Sequence, residues 1–150
     1  MTDTKSTTLS FQEEATIRYA CETLLLQFMA AVDTFDYEKT IELFSEDCCL
    51  DIAGDKIIGK QALAIWLNNR PANRKTRHIC TNILFDRLST EKATSSAVIT
   101  LYAATSDKRD QQPPLIAGPA AIVDLTNEFS LTPFGWKIDK HAVAFSFINQ

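Results

Sequence analysis

The chain has 150 residues, 45% of them hydrophobic and 23% charged, with 15 Lys plus Arg against 19 Asp plus Glu for a net charge of −4. That length suits a single domain with a buried core, and the composition excludes a disordered or fibrous chain. Apart from a short basic cluster at Arg70, Arg74, Lys75 and Arg77, nothing offers the positive footprint that a phosphate backbone requires, so no nucleic-acid partner is expected.

The first ten residues, "MTDTKSTTLS", read as a mobile polar tail without the hydrophobic core of a signal peptide, and residues 11–150 as the one domain. No apolar run approaches the roughly 20 residues that span a bilayer, so no membrane partner and a cytoplasmic location are expected. From Phe11 to Thr34, Ile17, Cys21, Leu24, Leu25, Phe28, Val32 and their neighbours recur at spacings of three and four, which predicts a long amphipathic helix. Asp36 then precedes "YEKTIELF" and is placed to cap a second, short helix by accepting from its free amide hydrogens.

"CCLDIAGDKIIG" predicts two short strands around an Ala-Gly-Asp turn, and "KQALAIWLNNR" a third helix. Beyond it the helical period vanishes, and strands are expected over 76–87, 93–104, 115–129 and 135–147. Gly118 and Pro119 fall inside the third of these, where a proline without an N–H and a flexible glycine predict a bulge or bend. Helices followed by strands define an α+β class, and a bent sheet has a concave side on which a ligand can sit.

One strand carries an imidazole. In "KTRHICTNILFD", alternation puts Ile79, Thr81, Ile83 and Phe85 on one face and His78, Cys80, Asn82 and Leu84 on the other. The second face mixes apolar area with polar groups that need partners when buried, the pattern of a small-molecule pocket. The first suits core or a subunit contact. His141 alternates with Lys137 and Asp139 in a charged row expected to face solvent. Four cysteines, Cys21, Cys48, Cys49 and Cys80, form no C-x-x-C pair and read as buried free thiols. Two histidines without a carboxylate cluster argue against a metal site.

The stretches "AVDTFDYEKTIELFSEDCCLDIAGDKIIGKQALAIWL", "TRHICTNILFD" and "GWKIDKHAV" resemble the NTF2-like superfamily, and within it the SnoaL-like group that includes scytalone dehydratase and bile-acid dehydratase. The resemblance runs from about Ile17 to Val143. It implies a cone in which a strongly curved antiparallel sheet wraps around three N-terminal helices and encloses a pocket. It also implies a pairing of Asp33, just at the end of the first helix, with His78. A carboxylate bonded to one imidazole nitrogen fixes the tautomer and raises basicity, leaving the other nitrogen to move a proton.

Scytalone dehydratase adds pocket tyrosines and a second histidine on a later strand. The matching regions here offer Phe28, Val32, Ile52 and the "GPAA" stretch from Gly118 to Ala121, which leaves Tyr102 or Asn82 to polarise a substrate oxygen. The resulting expectation is a cofactor-independent dehydratase, isomerase or cyclase acting on a small hydrophobic hydroxy-carbonyl compound. Asp33 and His78 are its catalytic pair, and Phe28, Trp66, Asn82 and Tyr102 its substrate contacts. The alternative is a non-catalytic ligand-binding or assembly subunit, as in the small subunit of ring-hydroxylating dioxygenases. In either case a homodimer or higher oligomer is expected.

Overall fold

The computed structural model describes residues 8–106 and 112–149. Residues 1–7 of the expected tail, and 107–111 of the expected loop "TSDKRDQQPP", lie outside the described residues. The order of elements is α1 (Phe11–Asp33), α2 (Tyr37–Glu42), β1 (Phe44–Ile52), β2 (Asp55–Ile58), α3 (Lys60–Asn68), β3 (Arg74–Leu88), β4 (Lys92–Thr105), β5 (Ala121–Thr132) and β6 (Gly135–Ile148).

The end of the expected tail is already structured. Ser10 caps α1: its hydroxyl accepts from the Glu13 N–H at 3.3 Å, and the Glu13 carboxylate accepts from the Ser10 N–H at 2.8 Å. These reciprocal bonds satisfy two amide hydrogens that the first helical turn cannot pair internally. Asp36 caps α2 by accepting from the Lys39 N–H at 3.1 Å. Phe44, expected on that helix, begins β1 instead.

The six strands form one open sheet in the order β2-β1-β6-β5-β4-β3. All neighbours are antiparallel except β1 and β6, which run parallel. The apolar stripe of α1, with Ile17, Cys21, Leu25, Phe28 and Val32 buried, lies in one core with Leu63 and Leu67 of α3 and with Ile99, Val123, Leu125, Phe129 and Ile138 of the sheet. The buried members of β4 and β5 alternate strictly with less buried ones, so the sheet turns one face to the helices.

Strand β5 starts only at Ala121, so Gly118 and Pro119 precede it; the chain bends there, at Ala117, Gly118 and Ala120, and the expected strand is shortened instead of bulged at that position. Register shifts occur elsewhere: between Thr81 and Leu84 of β3, between Ile122 and Val123, and between Glu128 and Phe129. Each extra residue kinks its strand and increases local twist, which bends a long sheet around the helices.

Candidate active site

Asp33 is the last residue of α1, placed where the helix end meets β3. Its Oδ2 accepts from the backbone N–H of His78 at 2.8 Å, and its Oδ1 accepts from the Thr76 hydroxyl at 2.8 Å. The same Oδ1 lies 2.6 Å from Nδ1 of the His78 ring. A carboxylate only accepts, so Nδ1 carries the proton and Nε2 is left as the nitrogen able to exchange one. Arg70 braces the junction, donating from Nη1 to the Val32 carbonyl at 3.0 Å and from Nη2 to the Thr76 oxygen at 3.5 Å.

The Asp33 side chain is 3% exposed and that of His78 18%. Burial pushes the Asp33 carboxyl upward, but the bonds from the His78 ring and backbone, the charge on His78 and the bond from Thr76 together outweigh it, and the group is held below its ordinary 3.8. It is therefore ionised at neutral pH. An ionised acid behind an imidazole orients the ring and stabilises the imidazolium formed when Nε2 takes a proton.

His78 lines a cavity of about 470 Å³ between the helices and the sheet, a volume within the range of small-molecule sites. Its walls are mostly apolar: Phe28, Met29 and Val32 from α1, Trp66 from α3, Leu50 and Ile52 from β1, and Ile99, Leu101, Val123, Val143 and Phe145 from the sheet. Arg70 and Arg74 also line it, whereas Arg77 does not.

Two expected substrate contacts, Phe28 and Trp66, thus stand at the cavity wall, and two do not. Asn82 is exposed and has a left-handed φ of 53°. It sits in the bulge where Thr81 pairs with Val98 and Leu84 with Ser96, so residues 82 and 83 together face only Ala97. Asparagine tolerates that conformation better than most residues, so the residue type suits the backbone bend. The bulge also reverses the alternation beyond it: Ile83 and Phe85 pack on the core, while Leu84 is 64% exposed. Of the face expected to serve core or a subunit contact, Ile83 and Phe85 thus meet the core, and Ile79 stays on the outer side, where Leu84 joins it. Tyr102 points away because the neighbouring Leu101 lines the cavity and successive strand residues face opposite sides; it pairs across the ladder with Arg77.

His141 was expected in solvent and is instead 2% exposed, lining the same cavity as His78. Ile138 pairs with Phe129 and Lys140 with Glu128, so Asp139 is an extra residue that turns His141 from the outer row to the inner one. Its Nδ1 lies 2.7 Å from Oδ1 of Asn127, and the Phe28 ring meets it edge to face at 4.9 Å. Burial, reinforced by the charge of His78, drives its pKa down to about 3. A second imidazole thus reaches the site from β6, although the "GPAA" stretch supplies none.

All four cysteines are free, with Cys21 and Cys48 buried; burial raises the Cys21 thiol to about 12. Among the described residues no three His, Cys, Asp or Glu side chains gather around a common point, and no described helix is long and apolar enough to cross a membrane.

A family model described as a SnoaL-like domain matches residues 13–141. Among solved structures, a candidate scytalone dehydratase from Novosphingobium aromaticivorans aligns with a TM-score of 0.79 at 17% identity, over 93% of this chain and 91% of the other. A hexachlorocyclohexane dehydrochlorinase, LinA type 2, aligns with a TM-score of 0.73 at 16% identity, over 93% and 92%. A candidate aromatic ring hydroxylase from N. aromaticivorans aligns with a TM-score of 0.73 at 21% identity, over 93% of each chain. At these identities the likeness is one of fold. No curated protein matches the sequence.

Proposed function

This chain belongs to the SnoaL-like domain family, and from that premise we propose that it is a lyase or isomerase that moves a proton on a small hydrophobic hydroxy-carbonyl compound. The observation that carries the reading is the 2.6 Å contact between Asp33 and the Nδ1 of His78 at the wall of an apolar cavity. Nε2 of His78 removes a proton from the carbon beside the carbonyl, and the released electron pair forms an enolate. In an elimination that pair then forms the carbon–carbon double bond as the β-hydroxyl leaves, and the imidazolium returns its proton to that oxygen to give water. In an isomerisation the proton returns to a different carbon. Either reaction conserves oxidation state and requires no redox group.

Two fold relatives bear names of elimination catalysts, a candidate dehydratase and a dehydrochlorinase. Both names denote removal of a proton and a leaving group from adjacent carbons, which is consistent with one base in an apolar pocket.

The test is proton exchange in deuterated water with a panel of bicyclic β-hydroxy ketones sized to the cavity, followed by NMR. The wild-type protein is expected to wash out the α-proton and to release an unsaturated ketone, and His78→Ala to lose at least 100-fold of that rate. Equal rates from the two proteins would remove the enzymatic reading.

A second reading, a non-catalytic assembly subunit, draws on the candidate ring-hydroxylase relative and on Ile79 and Leu84, 45% and 64% exposed on the outer side of β3. It shares with the first the proposal of a homo-oligomer, which sedimentation of wild type against Ile79→Lys would read out.

A further inference from the structure

Three polar residues stand in one row across adjacent strands: Ser95 of β4 pairs with Asn127 of β5, and Asn127 with His141 of β6. Their exposures are 2%, 1% and 2%. Burying three such groups is costly unless each is bonded to a neighbour. The bonds run in one direction. Asn127 Nδ2 donates to Ser95 Oγ at 3.1 Å, and its Oδ1 faces the His141 ring at 2.7 Å. An amide oxygen only accepts, so Nδ1 of His141 is the protonated nitrogen and Nε2 holds a lone pair.

Among the described residues Nε2 has no hydrogen-bond partner, and yet no sealed side-chain nitrogen or oxygen lacks one. Nε2 is therefore not sealed in protein. The opening available to it is the cavity that His141 lines together with His78 and Phe28.

We propose that His141 is a specificity-determining residue of this cavity, whose Nε2 accepts a hydrogen bond from a hydroxyl of the bound molecule, with Asn127 as the positioning residue that sets the tautomer. The inference rests on the reading of this cavity as the substrate site, and it adds a chemical class: ligands carrying a free O–H donor. His78 cannot fill this role and also act as base, because its one free nitrogen must meet a carbon-bound proton. A neutral imidazole that presents its unprotonated Nε2 complements a hydroxyl and rejects a carbonyl or ether oxygen. A site built to accept from a hydroxyl discriminates against the analogue that lacks it, because the acceptor is then buried unpaired.

The experiment reads binding rather than turnover, so its outcome is independent of whether His78 is a base. 2-Naphthol and its near-isostere 2-fluoronaphthalene are titrated calorimetrically into wild type and His141→Leu. Wild type is expected to prefer the naphthol by about tenfold, and His141→Leu to bind both alike. In parallel, 15N NMR of histidine-labelled wild type should show His141 protonated at Nδ1, with its Nε2 resonance moved by 2-naphthol and not by 2-fluoronaphthalene. A preference that survives in His141→Leu, a ring protonated at Nε2, an Nε2 signal indifferent to the naphthol, or failure of both probes to bind would each overturn the proposal. Should His141→Leu not fold, the wild-type NMR decides.

Discussion

The Asp33 carboxylate grips His78 twice, with Oδ2 on the backbone N–H at 2.8 Å and Oδ1 on the ring Nδ1 at 2.6 Å. One side chain thereby ties the end of α1 to β3 and sets the orientation and tautomer of the imidazole. Asp33→Asn keeps the shape and removes the charge. It is expected to lower kcat/KM for proton exchange by about 10²- to 10⁴-fold, as a neutral amide does not stabilise the imidazolium that forms. Steady-state kinetics beside an unchanged circular dichroism spectrum would check this, and a loss of less than threefold would leave Asp33 with only a structural task.

Trp66 and Phe28 line the cavity together, but the costs of truncating them should fall on different properties. Phe28 is 5% exposed and packs edge to face on Phe44 at 5.0 Å as well as on His141. Phe28→Ala is expected to lose about 3–5 kcal/mol of folding stability, the usual cost of a cavity at a buried aromatic. Trp66 is only partly buried at the core's margin, so Trp66→Leu should leave urea denaturation nearly unchanged and raise KM about fivefold with little change in kcat, the signature of lost uniform binding.

The helices were legible because Ile17, Cys21, Leu25, Phe28 and Val32 repeat every three to four residues, a pattern that survives any tertiary context. The Asp33–His78 pairing came from resemblance, since no spacing rule joins residues 45 positions apart. What the sequence concealed was parity. A strand's faces are read by counting in twos, and a single inserted residue inverts everything after it. The insertion at Asn82 turned Ile83 and Phe85 inward, and the one at Asp139 did the same for His141. Asn82 did carry a signal, as asparagine within a run of β-formers is a candidate for the left-handed conformation. Asp139 offered none, because the bulge there answers to the pairing of β6 with β5.

If Asn82 serves the bend, its variants should follow backbone strain and not ligand chemistry. Asn82→Val forces a β-branched residue to a φ of 53° and is expected to cost about 1–2 kcal/mol. Asn82→Gly should fall within about 0.5 kcal/mol of wild type, as relief of strain offsets the freer unfolded chain. Both should bind 2-naphthol as wild type does. Chemical denaturation with parallel calorimetry measures each, and a glycine variant that folds normally but loses affinity would return Asn82 to the site.

The buried imidazole of His141 makes a distinct demand on pH. Its folded pKa is lowered to about 3 from 6.5, so between those values the unfolded chain binds a proton that the native protein refuses. Stability must then fall as pH drops, beginning at 6.5, by up to roughly 1.4 kcal/mol per unit, and level off near pH 3. Asp33 works in a lower window. Its folded pKa lies beneath 3.8, so its contribution is intact above 3.8 and is lost as pH falls through the lowered value. Urea denaturation from pH 7 to 4.5 therefore lies above the Asp33 window, and His141→Phe should reduce the slope there while leaving the loss below pH 4. An unchanged slope between pH 6.5 and 4.5 in that variant would mean that the ring accepts a proton in the native state, through water reaching it from the cavity.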